Sequence, residues 1–89
     1  MLVSATVTAS GNATALVDVE VYSPSGKKVY QKYYDNRSFA ASVPRMFSSY
    51  WSIPGSAEKG TYTVKVGVFK PGWAGLLAWN DSALQFTVR

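Results

Sequence analysis

The stretch GTYTVKVGVFKPGWAGLLAWND, residues 60–81, decides the fold class of this chain. Over residues 60–69, apolar side chains occupy every second position from Tyr62 to Val68. This period of two is typical of a β-strand with one buried face and one solvated face. Pro71-Gly72 ends that strand. The tryptophans and leucines that follow, up to residue 79, are predicted to form an apolar loop, and surface loops often carry function.

Period-two runs separated by turn residues recur along the rest of the chain, with no helical pattern between them. Short strands at this spacing indicate an all-β, antiparallel sandwich or barrel. A chain of 89 residues without cysteine forms one domain, which we place at residues 1–89. Seven strands are predicted, at residues 2–9, 14–22, 28–34, 38–43, 45–53, 60–69 and 84–88.

The second and third predicted strands differ in how clearly they assign their faces. In the second, Asp18 and Glu20 alternate with valines, so we expect these two carboxylates to point outward. In the third, two sets of side chains compete for the outward face, and the choice stays open. One set is Tyr30, Lys32 and Tyr34, and the other is Gln31 and Tyr33.

The composition argues against catalysis. The chain has neither Cys nor His, which removes the usual zinc sites, thiol nucleophiles and imidazole bases. Asp18 and Glu20 share one strand face, whereas the two carboxyls of a glycosidase flank the scissile bond in a cleft. Asn80 and Asp81 are predicted to form an Asx turn before the last strand. We expect no catalytic residue, no metal site and no cofactor.

Charge and hydropathy also limit the possible partners. The net charge is +4, but the basic residues are scattered and form no phosphate track, so we expect no nucleic-acid binding. No segment approaches the roughly 20 apolar residues of a membrane helix. The first ten residues read as a strand and not as a signal peptide. Abundant Ser, Thr, Tyr and Trp indicate a secreted, extracellular protein, and the lack of cysteine suits a bacterial one.

Two parts of the sequence resemble known modules. YWSIP at residues 50–54 followed by GTYTV at 60–64 resembles Ig-like and fibronectin-III-like modules of bacterial extracellular proteins. In such modules a tyrosine corner ties a strand to the preceding connection, a role that would fall to Tyr62. Trp51 lies on the inward register of its strand with Phe47 and Ile53, so we expect it in the core, where a Trp is common in such modules. VDVEVYSPSGKKV, YTVKVGVFKPGW and WNDSALQFTV resemble small β-sandwich modules appended to secreted bacterial glycoside hydrolases. The resemblance implies a seven-stranded, antiparallel, Ig-like β-sandwich.

The candidate binding residues are aromatic side chains with polar groups between them. Trp73 and Trp79 lie in the predicted loop, flanked by glycines, and an indole offers a flat face on which a sugar ring packs, as other flat ligands do. Amide and ammonium groups nearby would orient the ligand. The predicted carbohydrate-binding residues are Trp73, Trp79, Tyr30, Tyr34, Lys32, Phe69, Asn80 and Gln85.

These expectations define two candidate functions. The first is a monomeric, non-catalytic module that binds plant cell-wall polysaccharide, cellulose or a hemicellulose, and tethers the catalytic domain of its parent glycoside hydrolase. The alternative is a structural Ig-like module that spaces the catalytic domain or docks on it through the Trp-Leu loop. Leu76 and Leu77 favour the alternative, because protein interfaces use aliphatic contacts more than sugars do.

Overall fold

A computed structural model describes residues 2–89, and these residues form an all-β protein, as the sequence predicts. No helix in this range is long and apolar enough to cross a membrane. The elements are β1 (Leu2–Val7), β2 (Ala13–Tyr22), β3 (Lys28–Phe39), β4 (Arg45–Tyr50), β5 (Gly60–Phe69), a 3₁₀ turn (Pro71–Trp73) and β6 (Leu76–Val88).

The strands form two antiparallel sheets. The smaller sheet pairs β1 with β4, and the larger has the order β3-β2-β5-β6. An isolated parallel bridge between Ala9 and Ala41 adds a further contact beyond β1. The antiparallel pairing confirms the sequence prediction, and in the consecutive pairs β2–β3 and β5–β6 it is the arrangement that a short connection allows.

Both sheets contribute side chains to one hydrophobic core. Val3 of β1 and Phe47 of β4 belong to the same buried cluster as the valines of β2 and β5. Trp51, which follows β4, is 9% exposed and is confirmed as a core residue. The centroid of its ring lies 5.9 Å from the ring centroid of Tyr30, 6.0 Å from that of Tyr62 and 6.4 Å from that of Phe86. Trp51 therefore links the end of β4 to three strands of the larger sheet.

The tyrosine corner is present. Tyr62 is 1% exposed, and its hydroxyl donates a 2.6 Å hydrogen bond to the backbone carbonyl of Glu58, four residues upstream. This bond fixes the connection before β5 to the start of that strand. The predicted alternation in β5 is also confirmed, since Tyr62, Val64 and Val66 are buried on one face.

Residues 2–89 contain six strands, so the predicted count of seven is wrong. The sequence predicted a turn at residues 35–37 and a separate strand at 38–43, but β3 runs without a break from Lys28 to Phe39. The register shifts opposite Leu16, where Asp35 and Asn36 of β3 face one residue of β2, and Asn36 has a φ of 54°. Turn-forming residues thus make a β-bulge within one strand and do not separate two.

The predicted apolar loop is also shorter than expected. β6 begins at Leu76, so Leu76, Leu77 and Trp79 lie on a strand paired with β5. Only residues 70–75 connect β5 to β6. The register between these strands shifts at Leu77 and again at residues 81–83. These irregularities break the period-two pattern, which is why the sequence does not reveal the strand.

Candidate functional site

The outer face of the larger sheet, which points away from the shared core, carries a row of paired residues across all four strands. Asp18 of β2 lies opposite Tyr33 of β3 on one side and opposite Gly67 of β5 on the other. Gly67 in turn pairs with Trp79 of β6. Adjacent strands are about 4.8 Å apart, so the row spans about 14 Å. The row has an aromatic residue at each end, Tyr33 and Trp79, with Asp18 and Gly67 between them.

Trp79 packs directly over Gly67. A Cβ atom added at Gly67 would lie 2.7 Å from the Trp79 ring and 2.8 Å from the Phe69 ring, so only glycine fits beneath both rings. The indole N–H of Trp79 donates to Oδ1 of Asp81. Nζ of Lys65 lies 3.8 Å from that same carboxylate oxygen. The position of Trp79 is therefore held from below by Gly67 and at its edge by Asp81.

Trp73 is presented by a closed turn between β5 and β6. The N–H of Lys70 donates to the carbonyl of Gly75 at 2.7 Å, and the N–H of Gly72 donates to Oδ1 of Asp35 at 3.0 Å. Trp73 itself has a φ of 64°, in the left-handed region that bulky residues rarely adopt. Such a conformation costs on the order of 1–3 kcal/mol and persists only where the surroundings enforce it. The β3 bulge at Asp35 thus anchors the turn that places Trp73.

The rings form a continuous exposed strip. Trp73 lies 4.8 Å from Phe69 and 5.5 Å from Tyr33 between ring centroids, with interplanar angles of 59° and 63°. Tyr33, Trp73 and Trp79 are 53%, 43% and 39% exposed. Contiguous apolar surface of this kind marks interaction sites on soluble proteins. We call Tyr33, Phe69, Trp73 and Trp79 the aromatic strip.

Two carboxyls lie beside the aromatic strip on the same sheet face. Asp18 and Glu20 point outward from β2 as predicted, yet they are only 1% and 7% exposed, so the expectation of a fully solvated outer face is wrong there. Gln31 donates to both carboxyls, at 2.9 Å to Asp18 and 3.3 Å to Glu20. Tyr22 donates its hydroxyl to Glu20. The second face of the sheet is covered by its own side chains, which local alternation does not reveal.

The pKa values of the two carboxyls shift in opposite directions. The pKa of Asp18 is raised from 3.8 to about 7, mainly by burial and then by the hydrogen bond with Glu20. Burial alone would also raise the pKa of Glu20, but hydrogen bonds from Asp18 and Tyr22 bring that pKa below its ordinary value. Oδ2 of Asp18 is buried and accepts no hydrogen bond from residues 2–89, which favours a neutral carboxyl. The pair therefore carries one proton, on Asp18, at mildly acidic pH.

The predicted binding residues do not form one surface. Phe69, Trp73 and Trp79 are brought together in the aromatic strip, and Gln85 lies on the same face, where its amide is 3.5 Å from Oγ1 of Thr63. Asn80 pairs with the core-facing Val66. Its side chain accepts a 3.1 Å hydrogen bond from the N–H of Ser82, so the predicted Asx turn is confirmed, although it lies within β6.

Three residues of β3 lie on the opposite side of the sheet from the aromatic strip. Tyr30, Lys32 and Tyr34 pair with the core-facing valines of β2. Tyr30 shares a 2.7 Å hydrogen bond with Ser49, and the Tyr34 ring lies 5.0 Å from that of Phe47. The two tyrosines thus pack the larger sheet onto β4. Their assignment to the same surface as Trp73 is corrected.

Tyr33 is the member of the aromatic strip that is missing from the binding residues predicted from the sequence. The alternation of β3 permits either tyrosine set on the outer face, and no local signal decides between them. The register to β2 decides, because Tyr33 pairs with Asp18 and Tyr34 with Val17.

Comparisons of the chain with models of protein families, with curated proteins and with solved structures found no match. The family resemblance stays a prediction from sequence.

Proposed function

We propose that this chain is a non-catalytic, Ig-like β-sandwich module that binds a plant cell-wall polysaccharide through the aromatic strip, as an accessory to a secreted bacterial glycoside hydrolase. The observation that carries the proposal is the strip itself, with Trp73 held by a strained turn and 43% exposed. Stacking on an exposed aromatic ring is worth about 1–3 kcal/mol for a flat ligand such as a base. A sugar ring offers a comparable apolar face.

The inclination of the rings bears on the class of polysaccharide. Adjacent rings of the strip meet at 59° and 63°, so a flat crystalline surface can lie parallel to one ring at a time. A single, twisting chain can contact Trp73 and its neighbours in turn. The strip therefore favours a soluble hemicellulose chain over the flat face of crystalline cellulose.

Polar side chains border the aromatic strip and suit hydroxyl groups. Lys65 is partly exposed beside Asp81, and Gln85 lies further along the same face with its amide exposed. Ammonium and amide groups donate and accept hydrogen bonds in fixed directions. In this proposal the rings supply affinity, and the polar border supplies orientation.

Replacing Trp73 tests the proposal. Trp73→Ala should weaken binding of soluble xylan, glucomannan or cello-oligosaccharides by about 5- to 150-fold, the equivalent of about 1–3 kcal/mol. The free energy of unfolding should fall by no more than about 1.5 kcal/mol, because the indole packs against two partly exposed rings. Isothermal titration calorimetry and urea unfolding on the same sample measure both quantities.

A matched control is Tyr50→Ala. Tyr50 is 80% exposed and lies on β4, in the other sheet, so its removal should leave both binding and stability unchanged. Binding by the wild-type chain should also survive moderate salt, since stacking is not screened. Equal glycan affinity of the Trp73→Ala and wild-type proteins, or no glycan binding by the wild type, contradicts the proposal.

A structural module that docks on its catalytic neighbour is the second candidate. Leu76 and Leu77 favour it, because they are 60% and 53% exposed beside the strip. This alternative predicts no retention on any polysaccharide. Leu76→Ser would then leave the melting temperature of the isolated chain unchanged and lower that of the catalytic neighbour in the parent protein.

A further inference from the structure

A groove of about 810 Å³ lies between β1 of the smaller sheet and β6 of the larger sheet. Val66 and Val68, from the core-facing side of β5, line it, and Trp79 is the member of the aromatic strip that also borders it, at the edge of β6. No lining residue is charged. Small residues dominate the walls, among them Ala5, Ala9, Ala13, Ala15, Ala78 and Ala83.

The two walls of the groove are strand edges. Within residues 2–89, β1 pairs only with β4, and β6 pairs only with β5. Residues of β1 and β6 line the groove, whereas no residue of β4 does. The groove therefore faces the edge of β1 that has no neighbouring strand, where backbone N–H and C=O groups alternate without a ladder.

The edge of β1 lacks the features that normally protect a free edge. Proteins guard such edges with charged residues, proline or bulges. The other edge strands have such features. Basic residues occur on β3, at Lys28, Lys32 and Arg37, and Arg45 begins β4, while β6 has register shifts next to Asp81. By contrast, residues 2–10 contain no charge and no proline, and the β1–β4 register is regular.

We propose that this groove accepts an extended polypeptide strand, which pairs with the free edge of β1 and directs alternate large apolar side chains onto Val66 and Val68. Only a peptide backbone supplies donors and acceptors at the spacing of a strand edge. The small wall residues leave room for leucine or isoleucine side chains. β1 has six residues, which corresponds to a contact of about 20 Å.

The occupant must be a segment whose apolar face is free. A second folded copy cannot supply its own β1, because Val3 and Ala5 of that strand are buried in its own core. An extended segment of another polypeptide, with apolar residues at every second position, meets the requirement. This inference does not rest on carbohydrate binding, because Tyr33, Phe69 and Trp73 of the aromatic strip lie outside the groove and Trp79 alone borders both sites.

A designed peptide tests the inference. The probe is a fluorescein-labelled octapeptide in which leucine alternates with threonine, and the control peptide has the same composition with its leucines in one block. We expect saturable binding of the alternating peptide by fluorescence anisotropy, roughly tenfold or more tighter than that of the control. Hydrogen exchange of β1 amides should slow in the complex, while exchange along β3 should not change.

Two alanine substitutions locate the site. Ala78→Glu places a carboxylate in the groove and should weaken peptide binding roughly tenfold or more, because a charge there loses its water. Ala74→Glu, in the turn before β6 and outside the groove, is the matched control and should bind normally. Trp73→Ala should also bind the peptide normally. The inference is overturned if the alternating peptide does not bind, or if the block peptide binds equally well. It is also overturned if the Ala78→Glu variant binds the alternating peptide as tightly as the wild type, or if hydrogen exchange slows in β3 and not in β1.

Discussion

Among single residues, Asp18 has the clearest consequence for the behaviour of the protein in solution. Its pKa is raised from 3.8 to about 7 by burial, so the folded state keeps a proton that the unfolded chain releases. The free energy of unfolding should therefore fall as the pH rises from 4.5 to 7, and level off above. The pKa of Glu20 is lowered from 4.5, so the stability that its charged form contributes is lost only below pH 4.5, outside this range. Melting temperatures by circular dichroism between pH 4.5 and 8 measure the decline.

Two substitutions assign the decline to Asp18. Asp18→Asn keeps a polar group without the charge, so the decline should disappear and the melting temperature at pH 8 should exceed that of the wild type. Glu20→Gln leaves Asp18 buried, so the decline should remain but become smaller, because the Glu20 carboxylate helps to raise the pKa of Asp18. The Tyr22 hydroxyl then donates to a neutral amide oxygen, a weaker acceptor than a carboxylate, which lowers stability at neutral pH. A decline that persists in Asp18→Asn would show that another group binds the proton.

At the scale of elements, the packing of β6 onto β5 depends on a glycine. Because an added methyl group at Gly67 would lie 2.7 Å from the Trp79 ring, Gly67→Ala should displace the indole and destabilise the protein by about 1–3 kcal/mol. Without this contact Gly67→Ala should stabilise the protein, since glycine is unfavourable within a strand. Urea unfolding measures the stability, and acrylamide quenching of tryptophan fluorescence should increase.

The matched control for this element is Gly75→Ala. A methyl group there would approach only the flexible Lys70 side chain, at 3.6 Å, so stability should change by less than about 0.5 kcal/mol. If Gly67→Ala is as stable as the wild type and its quenching is unchanged, Trp79 does not pack on Gly67, and the order of the aromatic strip is different.

For the whole molecule, the connection between the two sheets depends on Trp51. Its ring contacts residues of β3, β5 and β6, so Trp51→Ala should reduce the free energy of unfolding by about 3–5 kcal/mol. This is a large part of the roughly 5–15 kcal/mol typical of a domain. Tyr50→Ala, at the exposed neighbouring position, should cost less than about 0.5 kcal/mol. A stable Trp51→Ala protein would contradict a shared core.

The sequence alone determined the features that depend on neighbours along the chain. Alternation defines the buried faces of β2 and β5, since a strand pointing every second residue inward needs apolar residues there. The core position of Trp51 follows from the same alternation, whereas the tyrosine corner at Tyr62 was predicted from the resemblance to Ig-like modules. Alternation placed Phe69 on the outer face, and the position of Trp73 and Trp79 after Pro71 predicted that both are exposed, although Trp79 lies on a strand and not in the loop.

Only the tertiary structure decided the features that depend on strands distant in sequence. Tyr33 joins the aromatic strip, and Tyr34 the core, because of the register between β3 and β2. Asp18 is buried on a face that alternation marks as exposed, because distant side chains cover that face. β6 extends back to Leu76 because β5 supplies its hydrogen-bonding partners, although its own sequence has lost the period of two. In each case the deciding interaction joins residues that the local pattern cannot relate.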